Sequence, residues 1–206
     1  IDLAGNADYC ETYVIVQDNT GNCGVDGTVN VSGARKTEIL EGIEEATVDI
    51  AGADDQGIQF IYSDVTDNQG LYAVNGLVPL AADFTITPVK DDNPLNGLTT
   101  YDLVLMSKHI LGLQPLGSPY KMIAADANLS NSITTFDMVE FRKLILGVYT
   151  ELPANSSWRF VDKSFNFNDP GNPFNAPFPE FKSAASVQSD ALNDNFVAIK
   201  IGDVNN

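Results

Sequence analysis

The chain has 206 residues, and Asp and Glu outnumber Lys and Arg 28 to 11, for a formal net charge of −17. No basic stretch is available to meet phosphate, which argues against nucleic acid and anionic membrane surfaces as partners. No apolar run in the sequence is long enough to span a bilayer, so no membrane insertion is expected. The length suits one to three small modules better than one large enzyme, and the chain reads as a segment of a longer secreted protein.

In chain order, residues 1–23 contain a strand-like run at 12–17 and a turn, Asp18-Asn19-Thr20-Gly21-Asn22, bracketed by Cys10 and Cys23. Such a pair can close a disulfide in an oxidising compartment, worth about 2–3 kcal/mol for so short a loop. Two independent thiols are the alternative, and a zinc site would need His or further Cys, whereas the single His is at 109. Residues 24–90 read as all-β, with strand candidates at 25–31, 45–50, 57–62, 70–74 and 84–89 between Gly, Asp and Asn turns.

Residues 91–150 carry one pattern twice, the second copy 35 residues after the first. The first reads Asp91-Asp92-Asn93-Pro94-Leu95-Asn96-Gly97-Leu98-Thr99-Thr100-Tyr101-Asp102, and the second Asp126-Ala127-Asn128-Leu129-Ser130-Asn131-Ser132-Ile133-Thr134-Thr135-Phe136-Asp137. Each runs into an apolar stretch at helical spacing that ends in Leu-Gly. Oxygens at the first, third, fifth, seventh, ninth and twelfth positions can wrap a hard cation, so two calcium ions are expected. The ligands of the second copy are Asp126, Asn128, Ser130, the Ser132 carbonyl, Thr134 (directly or through water) and Asp137. Those of the first are Asp91, Asn93, Leu95, Gly97, Thr99 and Asp102. Leu95 has no side-chain oxygen, so a carbonyl, a neighbour such as Asn96, or water must stand in. The plainer alternative is a pair of Asx-rich turns capping two helices through Thr99 and Thr134. His109 has no Ser, Cys or acid arrangement around it that would make it a catalytic base.

In residues 151–206, Trp158-Arg159-Phe160-Val161 reads as a short strand, 166–179 as irregular, and 195–203 as a closing strand. On that last strand Phe196, Ala198 and Lys200 share one face, and Val197, Ile199 and Ile201 the other. The tail is too apolar for a free linker, and is expected to pack on the helices or to extend the sandwich.

Several of these segments resemble known families. The repeated loops resemble the dockerin type I domain, a pair of calcium loop-helix repeats. Thr66-Asp67-Asn68-Gln69-Gly70-Leu71-Tyr72, with Gly76-Leu77 and Phe84-Thr85-Ile86, resembles the carboxypeptidase regulatory-like (prealbumin-like) sandwich, in which this signature makes a tight hairpin and returns the Tyr ring to the core. Residues 1–23 resemble the closing strand of an immunoglobulin-like hyalin repeat. Together with the ending Val-Ala-Ile-Lys-Ile-Gly-Asp-Val-Asn, the arrangement is similar to C-terminal regions of large Bacteroidota surface proteins exported by type IX secretion. These resemblances imply a mixed fold, an all-β immunoglobulin/prealbumin-like sandwich followed by an α-helical dockerin-like pair. They imply no catalysis. The expected role is structural or adhesive, outside the cell, with a protein partner or copies of itself assembled head-to-tail. The alternative is a true dockerin that binds a cohesin-like module.

Overall fold

Alternation of apolar and polar residues sets the strands of the first half. In the computed structural model, which describes residues 27–205, β1 is Thr28–Lys36, β2 Thr47–Ala53, β3 Gln59–Val65, β4 Leu71–Pro79 and β5 Asp83–Val89. On β2, Val48 and Ile50 face inward while Thr47 and Asp49 face outward; on β5, Phe84 and Ile86 are buried between outward Thr85 and Thr87. Each such fully buried Val, Ile or Phe stabilises by about 1.5–3 kcal/mol. The expected disulfide between Cys10 and Cys23, and the strand at 12–17, lie outside the described residues.

The turn between β3 and β4 follows from its residues. Asp67 accepts the backbone N–H groups of Gln69 and Leu71 on Oδ1 at 2.8 and 2.9 Å, and Gly70 closes the turn at φ +74°. A Cβ on Gly70 would lie 2.0 Å from the carbonyl oxygen of Arg35, so glycine is required by both conformation and space. Two residues on, Tyr72 is buried and donates its hydroxyl to the Asp194 carbonyl at 3.2 Å.

After β5 come three short helices, α1 Thr100–Ile110, α2 Pro119–Ala125 and α3 Thr135–Ile145, then β6 Trp158–Asp162, β7 Lys182–Ala184 and β8 Phe196–Lys200. The strands form two four-stranded sheets with orders β4-β1-β8-β6 and β3-β2-β5-β7. Most neighbours are antiparallel, but β8 meets β1 in parallel, with Arg35 opposite Phe196 and Lys36 opposite Val197. The two sheets enclose Val29, Val31, Val48, Ile50, Val74, Phe84, Ile86, Trp158, Phe160 and Phe196 as one core.

The fold class differs from the mixed architecture expected of the sequence. The chain is mostly β, with eight strands in two sheets and three short helices among the described residues, and there is no second, α-helical unit made of a dockerin-like pair. The physical reason lies in β8, which is buried on both faces. Phe196 and Ala198 belong to the sandwich core. Ile199 and Ile201 join a second core with Leu98, Leu103, Met106, Ile123, Phe141, Leu144, Val161 and Val204. Helices of seven to eleven residues bury too little on their own. They cover their apolar faces with the back of the same sheet that closes the sandwich.

Candidate metal centre

The second loop is built from α2 to α3. Asp126 ends α2 and is fully buried; its Oδ1 accepts Ser130 N–H at 3.0 Å and its Oδ2 accepts Asn131 N–H at 2.8 Å. Asn128 Oδ1 also accepts the Ser130 N–H, and the Ser130 hydroxyl lies 3.2 Å from the Ser132 carbonyl and 3.0 Å from the Ser132 hydroxyl. Leu129 and Asn131 take left-handed φ of +56° and +58°, which turn the chain back on itself. Thr134 caps α3, and the buried Asp137 receives Thr134 N–H and Oγ1–H on Oδ2 and Ala127 N–H on Oδ1. The oxygens of residues 126, 128, 130 and 132 are thereby gathered over one turn of backbone.

The electrostatics of this loop are set by burial. Burial pushes the Asp126 carboxyl above its ordinary value and the charge of Asp137 adds to that, while N–H groups of Asn131, Ser130 and Asn128 oppose it. The donors to Asp126 and Asp137 are neutral, namely the N–H groups of Ser130, Asn131, Ala127 and Thr134 and the Thr134 hydroxyl. Two buried carboxylates in one loop, with no positive side chain, carry a desolvation cost that a bound cation would offset. The donor set is all oxygen, which fits calcium or magnesium and not a soft metal. Among the described residues no three or more His, Cys, Asp or Glu come together as a metal group, in keeping with a loop that has only two carboxylates and otherwise amide, hydroxyl and carbonyl oxygens.

In the first loop the structure keeps one half of this arrangement. Thr99 caps α1, and Asp102, fully buried, accepts Thr99 N–H at 2.8 Å and Thr99 Oγ1–H at 2.7 Å, as Asp137 does from Thr134. Leu98 is buried at the position of Ile133, and Gly97 is left-handed at φ +75°. The entry half is arranged differently. Asp91 is exposed, accepts the N–H of Ser157 at 2.7 Å and lines a hollow with Leu129, Pro153 and Glu180. Asn93 bonds Asp92, and with Asn96 and Gly97 it lines a different hollow, shared with Lys200 and Asp203. Leu95 contributes no side-chain oxygen and is exposed.

Four residues of the closing segment, Lys200, Asp203, Val204 and Asn205, lie at this place without having been read as part of it from sequence. Asp102 Oδ1 accepts the Val204 N–H at 3.0 Å and the Asn205 side-chain N–H at 2.8 Å. Asp203 lies so close to Gly97 that a Cβ there would be 2.4 Å from Asp203 Oδ2. Lys200, 8 % exposed, donates to the Pro94 carbonyl at 2.9 Å and the Ile201 carbonyl at 3.3 Å. Burial lowers its ammonium to about 8, and the charges of Asp203, Asp92 and Asp91 act in the opposite sense. A signal was present in the sequence: Gly202-Asp203-Val204-Asn205 repeats the Ala125-Asp126-Ala127-Asn128 pattern of an aspartate, a small apolar residue and an asparagine.

No family model, no curated protein and no solved structure matches this chain, so the functional reading stands on its residues and geometry.

Proposed function

We propose that this chain is a non-enzymatic, calcium-stabilised structural or adhesive segment of an extracellular surface protein, holding two calcium ions at dockerin-like loops. The observation that carries the reading is the duplicated arrangement of Thr99 with Asp102 and Thr134 with Asp137. In each, a fully buried carboxylate has neutral donors alone and lies beside a loop rich in side-chain oxygens. With two carboxylates in the second loop, the affinity expected is modest, about 10⁻⁵ to 10⁻³ M, a range suited to the calcium of an exterior medium. At a hundredfold excess over the dissociation constant, calcium then adds about 2.7 kcal/mol of stability. Calorimetric titration of the metal-stripped chain, paired with melting in calcium and in chelator, tests this. The expected result is calcium heat and a higher Tm with the ion; no heat and a Tm indifferent to chelator refutes the reading.

A second reading, docking to a cohesin-like protein, is favoured by one surface feature. Tyr101, Val104, Leu111 and Leu113 are exposed, and so are Phe136, Val139, Leu146 and Val148, which stand 35 residues later at matching positions. Sedimentation of the calcium-loaded chain at rising concentration separates the two readings. Growth into larger species supports head-to-tail assembly. A strict monomer removes assembly and leaves this face for a different protein.

A further inference from the structure

We infer that the first cation site is assembled from two distant stretches of chain, with Asp203 and Asn205 in place of Asp91 and Asn93 as its entry residues. The inference rests on the calcium reading given above and specifies which residues complete one of its two sites.

The two loops correspond residue by residue. In the second, the residue after the entry aspartate, Ala127, donates its N–H to the closing carboxylate Asp137 at 3.0 Å. In the first, the closing carboxylate Asp102 receives that bond at 3.0 Å from Val204, 102 residues further along the chain. Val204 therefore stands where Ala127 stands, Asp203 where Asp126 stands, and Asn205 where Asn128 stands. Burial agrees: Ala127 and Val204 are both almost wholly excluded from solvent, as are Ala124 and Ile201, two residues before each aspartate. Gly202 N–H donates to the Ala124 carbonyl at 2.8 Å, so the two entry segments are bonded to each other. Asp203 also reaches the Gly97 backbone, the seventh position of the first loop, whose carbonyl is a ligand position.

One further observation points to a cation at this place. Asp102 is fully buried with neutral donors alone, so its charge is uncompensated by any ion pair among the described residues. The Lys200 ammonium lines the same hollow, where it donates to the Pro94 carbonyl at 2.9 Å. The residue after Asp91 is not the donor to Asp102, and Asp91 Oδ1 accepts the Ser157 N–H at 2.7 Å.

The consequence is that calcium at the first site staples the closing strand β8 to α1, because the two halves of the site arrive from opposite ends of the region. Calorimetric stoichiometry on the whole chain tests this with Asp203→Asn, Asp91→Asn and Asp126→Asn. Wild type and Asp91→Asn are expected to bind two ions, and Asp203→Asn and Asp126→Asn one each. Should Asp203→Asn fold poorly, hydrogen exchange on Asp126→Asn provides the second readout: calcium then slows exchange of the Val204 amide through the first site alone. Wild type binding no calcium refutes the calcium reading itself. Wild type binding two ions, with Asp91→Asn losing one and Asp203→Asn none, overturns only this inference. Wild type binding a single ion that Asp126→Asn abolishes also overturns it, and makes the Lys200 ammonium the resident cation of the first loop.

Discussion

Arg35 lays its guanidinium over the ring of Phe196 at 4.1 Å, and the two residues face each other where β1 meets β8 in parallel. On its other side the guanidinium covers the Tyr72 ring at 4.2 Å, and Nη1 donates to the Asp194 carbonyl at 2.9 Å. Arg35 is wholly buried, and its Nε and Nη2 make no hydrogen bond. Burial lowers the Arg35 pKa and raises that of Tyr72. A β8 that is short and only briefly paired to β1 is thus held by a cation between two aromatic faces.

Arg35→Ala is expected to cost about 3 kcal/mol, from the lost packing of the stem and two emptied ring faces. Arg35→Met keeps the volume and removes two unbonded donors, so about 1 kcal/mol is expected. Urea unfolding of both variants checks this. Equal losses would show that stacking of the charge, and not filled space, holds β8 in place.

Asp137→Ala is expected to destabilise by about 3 kcal/mol, because it removes the acceptor of three hydrogen bonds in a fully buried place. Asp92→Ala removes an ion pair to Lys90 from a side chain 41 % exposed, so the expected loss is under about 1 kcal/mol. Thermal melting of the two variants in calcium and in chelator compares them. If both melt alike, the buried carboxylate does not organise the second loop.

Gly70→Ala and Gly57→Ala separate backbone conformation from space. Both glycines are left-handed, at φ +74° and +80°, but a Cβ on Gly57 meets nothing within 4 Å. Gly57→Ala should cost about 1 kcal/mol, the left-handed penalty alone. Gly70→Ala adds a clash with the Arg35 carbonyl and should cost clearly more, about 3 kcal/mol. Denaturant midpoints of the two variants measure the difference; equal midpoints would mean that the β3–β4 turn yields without cost.

What the sequence made legible was local. Alternation marked β2 and β5, Thr66 to Tyr72 marked a tight turn, and the second loop was readable because Asp126 to Asp137 is continuous. The facing of Phe196 and Ala198 against Ile199 and Ile201 was also visible as period two, but its meaning was not, since each face serves a different core. Strand order is long-range: nothing in Phe196–Lys200 says that it lies between β1 and β6. The helical stripes of α1 and α3 suggested a unit of their own because periodicity records which face is apolar, not what covers it. The distant partners of the first loop were hidden for the same reason. Asp102 names its partner by spacing only if the loop is continuous, and its bonds run to Val204 and Asn205.

The exposed rings Tyr101 and Phe136 give the last prediction. They stand at equivalent first-turn positions of α1 and α3, 57 % and 72 % exposed, and α1 packs against α3. Because little of either ring is packed, the double variant Tyr101→Ser, Phe136→Ser should unfold within about 0.5 kcal/mol of wild type. Its effect should fall on association instead, since aromatic residues are frequent anchors of protein interfaces. If calcium-loaded wild type self-associates through this face, the double variant sediments as a monomer at the same concentration. If wild type associates and the double variant does so equally, the assembling surface is elsewhere, with the exposed apolar residues Ile61 and Val65 on the sheet-edge strand β3 the next place to substitute.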